Sequence, residues 1–294
     1  MPRVPDPVPS MSGKTCLVTG ATAGIGAVTA ESLAGAGAKV LIVGRDPAKC
    51  EQTVAGIRDA TGNAAVESFV ADLSSQKQVR RLAEEVAARH PRLDVLVNNA
   101  GAMFDRRIES ADGVEMTWAL NHLSYFLLTN LLLDTLESSA PARIVNVASD
   151  AHGMVRGIDF DDPESKHKSY KAFRVYGQSK LANILFTLEL ARRLKGSGVT
   201  VNSLHPGFVY TSFFENKGMI GRLTKLAATI IAIRPENGAR TSVYLASAPE
   251  VASVSGQYFV KRKPGVPTPA ARDADAAKRL WDLSESMTKA EVSR

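Results

Sequence analysis

Short apolar runs alternate with helical segments along most of the chain, and this rhythm limits the accessible folds more than any other feature. The strand-like runs cover residues 14–19, 39–43, 65–70, 94–97, 143–148, 199–205 and 256–260, and helical patterns cover residues 24–36, 47–60, 76–90, 113–136, 176–195 and 235–246. Strands that alternate with helices form a parallel sheet with helices on both faces. No Pro- or Gly-rich linker divides the series. We therefore predict a single α/β domain with a doubly wound parallel sheet.

Composition excludes several classes of protein. Hydrophobic residues make up 45% and charged residues 22% of the 294 residues, which are ordinary values for a globular protein. Disordered and fibrous proteins are therefore excluded. The net charge of +6 arises from 36 basic and 30 acidic residues whose signs are interspersed along the chain. Such a balance does not indicate a nucleic-acid partner.

The chain ends and the two cysteines bear on location. The first twelve residues hold four prolines and no apolar signal-peptide core, so we expect a flexible tail over 1–12, the main domain over 13–262 and a C-terminal extension with a helix over 263–294. No uninterrupted apolar run reaches the roughly 18 residues that a membrane-spanning helix needs. Cys16 and Cys50 show neither a disulfide framework nor a metal-ligand spacing. These features predict a cytoplasmic protein with no integral membrane segment and no metal.

A glycine-rich turn, TGATAGIG over residues 19–26, directly follows the first strand and opens the first helix. Glycine permits a tight turn and the close approach of a pyrophosphate, whose charge is favoured at a helix N-terminus. In this strand-turn-helix setting the motif predicts a dinucleotide site. The candidate binding residues are Gly20, Thr22, Ala23, Gly24, Ile25 and Gly26.

The end of the second strand bears on the choice of nucleotide. An acidic residue there binds the ribose hydroxyls of NAD, whereas an arginine accommodates the 2′-phosphate of NADP. Here the strand ends in Gly44 and Arg45, and the guanidinium suits a phosphate. We expect Gly44 to leave room for the nucleotide and Asp46 to cap the next helix before Pro47. The sequence therefore favours NADP(H) over NAD(H).

Tyr176 and Lys180 lie four residues apart in a helical segment and so share one face. A free phenol has a pKa of about 10. Two unit charges about 4 Å apart gain roughly 4 kcal/mol at an effective dielectric of about 20, so the ammonium is expected to lower the pKa of the phenol. A Tyr and a Lys at this spacing also occur by chance on solvated helix faces. The pair becomes a candidate proton donor and acceptor through its surroundings.

Two stretches interrupt the regular rhythm, residues 150–175 and 208–234. Both follow strands, and ligands of open α/β sheets bind outside the carboxyl ends of the strands. We therefore expect the two stretches to form the walls of a substrate pocket. The second is rich in large apolar residues, for which ordinary core and an oligomer contact are the alternatives.

Six motifs in the same order resemble those of the short-chain dehydrogenase/reductase family. They are TGxxxGxG at 19–26, NNAG at 98–101, Asn121, Ser149, the pair Tyr176 and Lys180, and PGxxxT at 206–211. The resemblance extends over residues 14–260 and implies a single-domain Rossmann fold with a nicotinamide cofactor.

The resemblance also assigns roles to residues. Ser149 and Tyr176 would bind the carbonyl oxygen, with Tyr176 as general acid or base; Lys180 would bind the nicotinamide ribose, and Asn121 would hold a water that links Lys180 to solvent. The remaining implied cofactor contacts are Asp72, Leu73, Asn98, Ala100, Gly101, Tyr176, Lys180, Pro206, Gly207, Val209 and Thr211. For Asp72 a helix cap is the alternative, and for Ser149 a turn hydrogen bond.

Residues 111–113, 176–187, 204–207 and 278–282 are similar to the retinol dehydrogenase-like branch of the family. That similarity implies an NADP(H)-dependent oxidoreductase acting on a lipophilic carbonyl or alcohol, either retinal-like, steroid-like or a simpler aldehyde or ketone. It also implies a homodimer through the helices that carry Asn121 and Tyr176. The alternatives are an NAD-dependent secondary-alcohol dehydrogenase, a catalytically silent NADP(H)-binding regulatory protein and a peripheral membrane protein.

Overall fold

Eight strands form one sheet within residues 7–207 and 234–289, the parts of the chain that the computed structural model describes. The strands are β1 Thr15–Thr19, β2 Lys39–Gly44, β3 Val66–Val70, β4 Val95–Asn98, β5 Ala142–Val147, β6 Val199–His205, β7 Tyr258–Val260 and β8 Lys263–Pro264. Their order across the sheet is β3-β2-β1-β4-β5-β6-β7-β8. The first seven are parallel and β8 is an antiparallel edge. The predicted α/β fold class is confirmed.

The strand order places the switch point of the sheet between β1 and β4. The connections that leave these two neighbours run to opposite sides of the sheet, which opens a crevice outside their carboxyl ends. The glycine turn follows β1 and the NNAG sequence follows β4. The two motifs are therefore brought together at the position where open α/β sheets bind ligands.

Nine helices pack on the two faces of the sheet in the described parts of the chain. They are α1 Gly24–Gly35, α2 Pro47–Thr61, α3 Gln76–Arg89, α4 Met116–Trp118, α5 Ser124–Leu131, α6 Leu133–Ser138, α7 Ala172–Arg193, α8 Pro235–Ser247 and α9 Ala274–Thr288. Side chains alternate between the faces along β1, where Leu17 belongs to the core under α3, α5 and α7, and Val18 to the core under α1 and α8. Both faces of the sheet are thus buried.

Two helices differ from their predicted bounds. The helix expected over 113–136 is interrupted: a π-helical turn, Ala119–Leu123, separates α4 from α5, and α5 ends at Leu131. Nearly all residues of this stretch are buried, so no one-sided apolar pattern was present to reveal the inserted residue. The helix expected from residue 176 begins at Ala172 instead, after Lys171, which provides no side-chain cap. A start without a cap signal is easily misplaced.

The C-terminal extension contains the expected helix, and α9 packs onto α5 and α7. The buried Trp281 lies with its ring centre 4.9 Å from that of Phe126 and 5.9 Å from that of Phe186. The guanidinium of Arg193 lies 4.1 Å from the centre of the Trp281 ring. This extension therefore completes the core on one face of the sheet.

Within residues 7–207 and 234–289, none of the helices combines the length and apolar character that a membrane crossing requires. Cys16 and Cys50 are both buried and unpaired. Burial raises the pKa of the Cys16 thiol far above its usual value, which makes it an inert core residue.

Candidate active site

The glycine turn after β1 has no space for side chains at two of its glycines. A Cβ on Gly26 would lie 2.4 Å from the carbonyl oxygen of Gly20 and 2.5 Å from Nδ2 of Asn99. A Cβ on Gly20 would lie 2.8 Å from Cα of Ala100. Gly20 and Gly24 also adopt φ angles of +63° and +57°, which favour glycine. The turn is therefore a close-packed cradle that any other residue would fill.

The N-terminus of α1 faces this cradle with its amide groups uncapped. The N-cap residue is Ala23, whose extended backbone carries no capping side chain, and the first turn contains no acidic residue. The first N–H groups of a helix need an outside acceptor, and an anion suits them. Ala23 is exposed, and Thr22 and Ile25 are half-buried. These observations fit the pyrophosphate of a dinucleotide.

The loop after β4 is fastened directly to the loop after β1. Oγ1 of Thr19 accepts hydrogen bonds from the amides of Asn99 (2.9 Å) and Ala100 (3.1 Å), and Nδ2 of Asn99 donates to the Thr19 carbonyl (2.8 Å). These bonds fix the crevice wall. Thr19 and Asn99 were not among the predicted site residues, although both lie inside the quoted motifs.

The side chain of Asn98 lies in the core, and the predicted cofactor contact of this residue stays a prediction. Its side chain is fully buried, and Nδ2 donates to Oγ1 of Thr129 and to Oδ1 of Asn146, each at 2.9 Å. The side chain thus joins β4 to β5 and α5 inside the core.

The end of β2 corrects one expectation. A Cβ on Gly44 would lie 2.4 Å from Cγ2 of Thr22 and 2.6 Å from Sγ of Cys50. The space beside Gly44 is therefore taken by these side chains and not left for the nucleotide. Arg45 is exposed at this edge. Asp46 accepts a hydrogen bond from the Lys49 amide (3.2 Å), so its predicted role as the cap of α2 is confirmed.

Asp72 at the end of β3 organises its own turn. Oδ1 accepts hydrogen bonds from the amide (3.0 Å) and the hydroxyl (2.7 Å) of Ser74, and the Asp72 amide donates to Gln78 (3.0 Å). The following Leu73 is buried. Both residues lie at the carboxyl edge of the sheet, and their contact with the adenine ring stays a prediction.

The four predicted catalytic residues come together from three parts of the chain. Ser149 follows β5 and hydrogen-bonds to Tyr176 on α7. Lys180 lies one helical turn further along α7, with Nζ 5.6 Å from the centre of the Tyr176 ring, and donates to the carbonyl of Val147 at 3.1 Å. Its ammonium is buried, and the ring of Tyr125 lies 5.9 Å away.

Asn121 lies in the π-helical turn and clamps two elements together. Its Oδ1 accepts from the Ala102 amide (2.9 Å), and its Nδ2 donates to the Ala102 carbonyl (2.9 Å) and to Oγ of Ser179 (3.0 Å). A Cβ on Gly101 would lie 3.1 Å from Oδ1 of Asn121 and 3.4 Å from Nζ of Lys180. The NNAG loop therefore passes directly over Lys180. The water-holding role of Asn121 stays a prediction.

The pKa values of Tyr176 and Lys180 differ from what their spacing alone predicts. Burial raises the pKa of Tyr176, and the hydrogen bond with Ser149 opposes that rise. Burial also lowers the pKa of Lys180 to about 7. The expected lowering of the phenol pKa by the ammonium is therefore outweighed by the desolvation of both groups. At neutral pH Tyr176 carries its proton, and Lys180 gives up its proton more readily than a free lysine.

Gly177 is a site residue that the motif analysis missed. A Cβ there would lie 2.8 Å from the Ala151 carbonyl and 3.2 Å from Cγ1 of Val155. The segment after Ser149 consequently packs directly on α7, which holds Ser149 beside Tyr176. A glycine in a helix interior costs about 1 kcal/mol relative to alanine. That cost was the available signal that something approaches the helix at this position.

The predicted pocket walls are described only in part. In the first, Val155, Ile158 and Phe160 pack against the core, whereas Met154 and Phe173 are 66% and 58% exposed. Phe173 lies one turn before Tyr176 on α7.

At the end of β6, Pro206 and Gly207 are half-buried, and Gly207 has a φ of +91°. Residues 208–233 of the second wall, with Val209 and Thr211, lie outside the described residues. Their predicted contacts stay predictions.

Comparison with known proteins agrees with this geometry. The family model for short chain dehydrogenases matches residues 14–160 and 163–219. Human retinol dehydrogenase 13 is 44% identical over 288 residues, which cover 96% of this chain and 87% of that protein. Human retinol dehydrogenase 14 is 44% identical over 293 residues, which cover 94% and 87%.

Solved structures are similar over nearly the whole chain. An uncharacterized protein from Mycobacterium paratuberculosis superposes with a TM-score of 0.80 at 35% identity and covers 98% of this chain and 97% of its own. The Pseudomonas aeruginosa RhlG/NADP active-site complex has a TM-score of 0.67 at 30% identity, with 89% and 98% covered. A short chain dehydrogenase from Burkholderia cenocepacia in complex with NADP has a TM-score of 0.68 at 27% identity, with 90% and 99% covered.

Proposed function

Because the chain belongs to the short-chain dehydrogenase family and is an oxidoreductase, we propose that it transfers hydride between NADP(H) and a lipophilic carbonyl or alcohol. One observation carries this proposal. Ser149 and Tyr176 are hydrogen-bonded to each other, with the buried Lys180 one helical turn away. Two hydroxyl groups that converge on one point can bind a single carbonyl oxygen.

The nicotinamide, when bound, supplies or accepts the hydride. The protein provides binding, orientation and the proton. In reduction Ser149 and Tyr176 donate hydrogen bonds to the carbonyl oxygen, and Tyr176 transfers its proton to that oxygen. In oxidation the same hydroxyl, once deprotonated, accepts the proton of the alcohol. Because burial keeps the free phenol protonated, the resting protein is ready for the reductive direction.

Lys180 is suited to exchange that proton. A group that relays protons works best when its pKa is near the working pH, and burial lowers the pKa of Lys180 to about 7. Its hydrogen bond to the Val147 carbonyl keeps the ammonium inside the site. The Gly101 main chain covers it from the cofactor side. The lysine would thus bind the cofactor and return the proton to Tyr176.

Two observations favour NADP(H). Arg45 is exposed at the carboxyl end of β2, where NAD-specific proteins place an acidic residue. Two of the similar structures were determined with NADP. The cradle of Gly20 and Gly26 accommodates either nucleotide, so the preference rests on Arg45.

The lipophilic substrate is supported by the surface beside Tyr176. Phe173, one helical turn before Tyr176, and Met154, in the segment after Ser149, expose large apolar side chains. Exposed apolar groups near a reactive centre favour an apolar ligand. The names of the similar human proteins, retinol dehydrogenases 13 and 14, point to the same chemical class. We therefore propose retinal-like and other bulky apolar aldehydes, ketones or their alcohols as substrates.

The proposal is tested by NADPH consumption with a panel of carbonyls graded in size and polarity. The panel contains a retinal, a steroid ketone, an aromatic aldehyde and a short hydrophilic ketone, each assayed with NADPH and with NADH. We expect turnover with the bulky apolar members and faster reaction with NADPH. Tight NADPH binding without turnover of any member would favour the silent regulatory protein. Turnover of the hydrophilic ketone alone would overturn the substrate class.

We further propose that the protein acts in the cytoplasm, in line with its two unpaired cysteines; cell fractionation tests this.

A homodimer through α5 and α7 would have to avoid the surfaces that Trp281 covers, since this residue packs on Phe126 and Phe186. Light scattering on the purified protein measures the oligomeric state.

A further inference from the structure

A line of buried polar side chains joins the C-terminal helix to Lys180. Oγ of Ser284 on α9 lies 2.8 Å from Nε2 of His122, and Nδ1 of His122 lies 3.4 Å from Oδ1 of Asn183 on α7. Nδ2 of Asn183 donates to the Val147 carbonyl at 3.3 Å, and Nζ of Lys180 donates to the same oxygen at 3.1 Å. Each of the four side chains is at most 2% exposed.

We propose that Ser284 and His122 are positioning residues for Lys180, because they hold Asn183 in the orientation that lets its amide share the Val147 carbonyl with the ammonium. The proposal rests on the role of Lys180 in the proposed function. The C-terminal helix α9 would then help to position Lys180, although it begins nearly a hundred residues after that lysine in the sequence.

The hydrogen positions along this line follow from one requirement. The Val147 carbonyl accepts only, so Asn183 must direct its NH₂ group to it and its oxygen to His122. His122 is neutral at pH 7, because burial lowers its pKa to about 4. Its single hydrogen must therefore be on Nδ1, facing the Asn183 oxygen.

Nε2 of His122 then carries a lone pair and needs a donor, and the Ser284 hydroxyl is placed to provide it. That hydroxyl also donates to the Leu280 carbonyl at 2.7 Å, so its single hydrogen is shared between two acceptors. The rings of Trp118 and Phe186 flank the imidazole, with ring centres 4.9 Å and 6.3 Å away. Ser284 thus provides the donor that this tautomer of His122 needs, and the tautomer supports the orientation of the Asn183 amide toward Val147.

Removal of the Ser284 hydroxyl would leave Nε2 as a buried acceptor without a partner, which is unfavourable. In either tautomer Nε2 would then lack a partner, so the imidazole would hold the Asn183 amide only loosely, through the 3.4 Å contact at Nδ1. The amide would then turn, and the Val147 carbonyl would accept from Lys180 alone. A carbonyl that Lys180 does not share binds the ammonium more tightly, so the lysine keeps its proton to higher pH and is drawn away from Tyr176.

The test uses Ser284→Ala in the full-length protein, with Ser286→Ala as matched control. Ser286 is exposed on the same helix and donates to the Leu283 carbonyl. For Ser284→Ala we expect kcat of NADPH-dependent reduction to fall about tenfold. We expect the alkaline limb of the pH profile of kcat to move to higher pH. The Kd of NADPH should change by less than about twofold. Ser286→Ala should retain the parent kcat and pH profile.

Ser284→Cys provides a second, nearly isosteric variant with a weak donor. Its kcat should lie between those of the parent and Ser284→Ala, and it keeps the test available if the alanine variant does not fold. A parent kcat and pH profile in Ser284→Ala would overturn the proposal. So would equal losses of stability, NADPH affinity and kcat without a change of pH profile, because these indicate a packing role alone. Tyr176→Phe is measured in the same assay: if it retained the parent turnover, the proposed function would have failed instead.

Discussion

The two halves of the site are built in different ways. The cofactor cradle joins two neighbouring loops, and its shape depends on glycines that approach within van der Waals contact, such as Gly26 on the carbonyl of Gly20. The surroundings of Lys180 come instead from β5, the π-helical turn, α7 and α9, which hydrogen-bond through Val147, Asn183, His122 and Ser284. The shape of the cradle depends on the absence of side chains at its glycines. The position of the buried ammonium depends on hydrogen bonds to residues far away in the sequence. Substitutions in the two halves should therefore fail differently.

The largest effect expected is on chemistry alone. Tyr176→Phe keeps the ring and removes the hydroxyl that transfers the proton, so kcat should fall about 1,000-fold, within the usual range for general acid catalysis. NADPH should bind as before, because the cradle is untouched. Turnover assays and fluorescence titration measure the two quantities. Tyr244→Phe, on a half-buried tyrosine of α8, is the control and should leave both at parent values.

The converse failure is expected at the cradle. Gly26→Ala places a Cβ 2.4 Å from the Gly20 carbonyl, so the turn must move and the Kd of NADPH should rise about 100-fold. Calorimetric titration measures it. Gly62→Ala is the control, because its Cβ would meet open space. The positive φ of +69° at this position should cost about 1 kcal/mol of folding stability, but the Kd of NADPH should stay at the parent value. Equal Kd values for both variants would contradict the close-packed cradle.

The buried imidazole of the catalytic half should appear in the pH dependence of stability. Its pKa is about 6.5 when unfolded and about 4 when folded, so the unfolded state binds more protons between these values. Stability is thus present in full above pH 6.5 and is lost as the pH falls through 4, by about 3 kcal/mol in total.

Urea unfolding at pH 7 and pH 4.5 tests this expectation. His122→Gln should lose less free energy of unfolding than the parent on acidification. His167→Gln, at an exposed position, should lose as much as the parent. Parallel losses in all three proteins would show that His122 is not buried as a neutral group.

The smallest effect expected concerns nucleotide choice. Arg45→Ala should raise the Kd of NADPH about tenfold and leave that of NADH unchanged, because an exposed guanidinium contributes a screened interaction. Lys49→Ala, on a neighbouring exposed residue of α2, should change neither. Equal losses for both nucleotides would mean that Arg45 binds a group they share.

Much of the fold could be read from the residues. The strand expected over 199–205 is β6, Val199–His205, and the other runs agree with their strands to within about two residues. Buried parallel strands are short, apolar and flanked by turns, so they stand out locally. The helix over 113–136 could not be read correctly. The π-helical turn lies in a stretch that is buried on nearly all sides, so no one-sided pattern marks it, and this turn places Asn121 and His122.

The candidate site, like the fold, was predicted in part from the sequence. Motif order alone named Ser149, Tyr176 and Lys180, and the structure brings these three together. It also turned the Asn98 side chain into the core and filled the space beside Gly44 with Thr22 and Cys50. Neither outcome is visible in a motif, because each depends on the residue across the contact.

The sequence by itself determined the family, the strand-helix alternation, the glycine cradle and the candidate catalytic side chains, because each depends on residue types at short spacing. The tertiary structure alone decided how those side chains are tuned. Burial, which no spacing reports, brings the pKa of Lys180 to about 7 and raises that of Tyr176. The tertiary structure also brings the Ala151 carbonyl into contact with Gly177 and the Ser284 hydroxyl into contact with His122. Desolvation and contacts between distant residues exist only once the chain has folded. The type of chemistry could therefore be predicted from the sequence, whereas the pKa values of the groups that carry it could not.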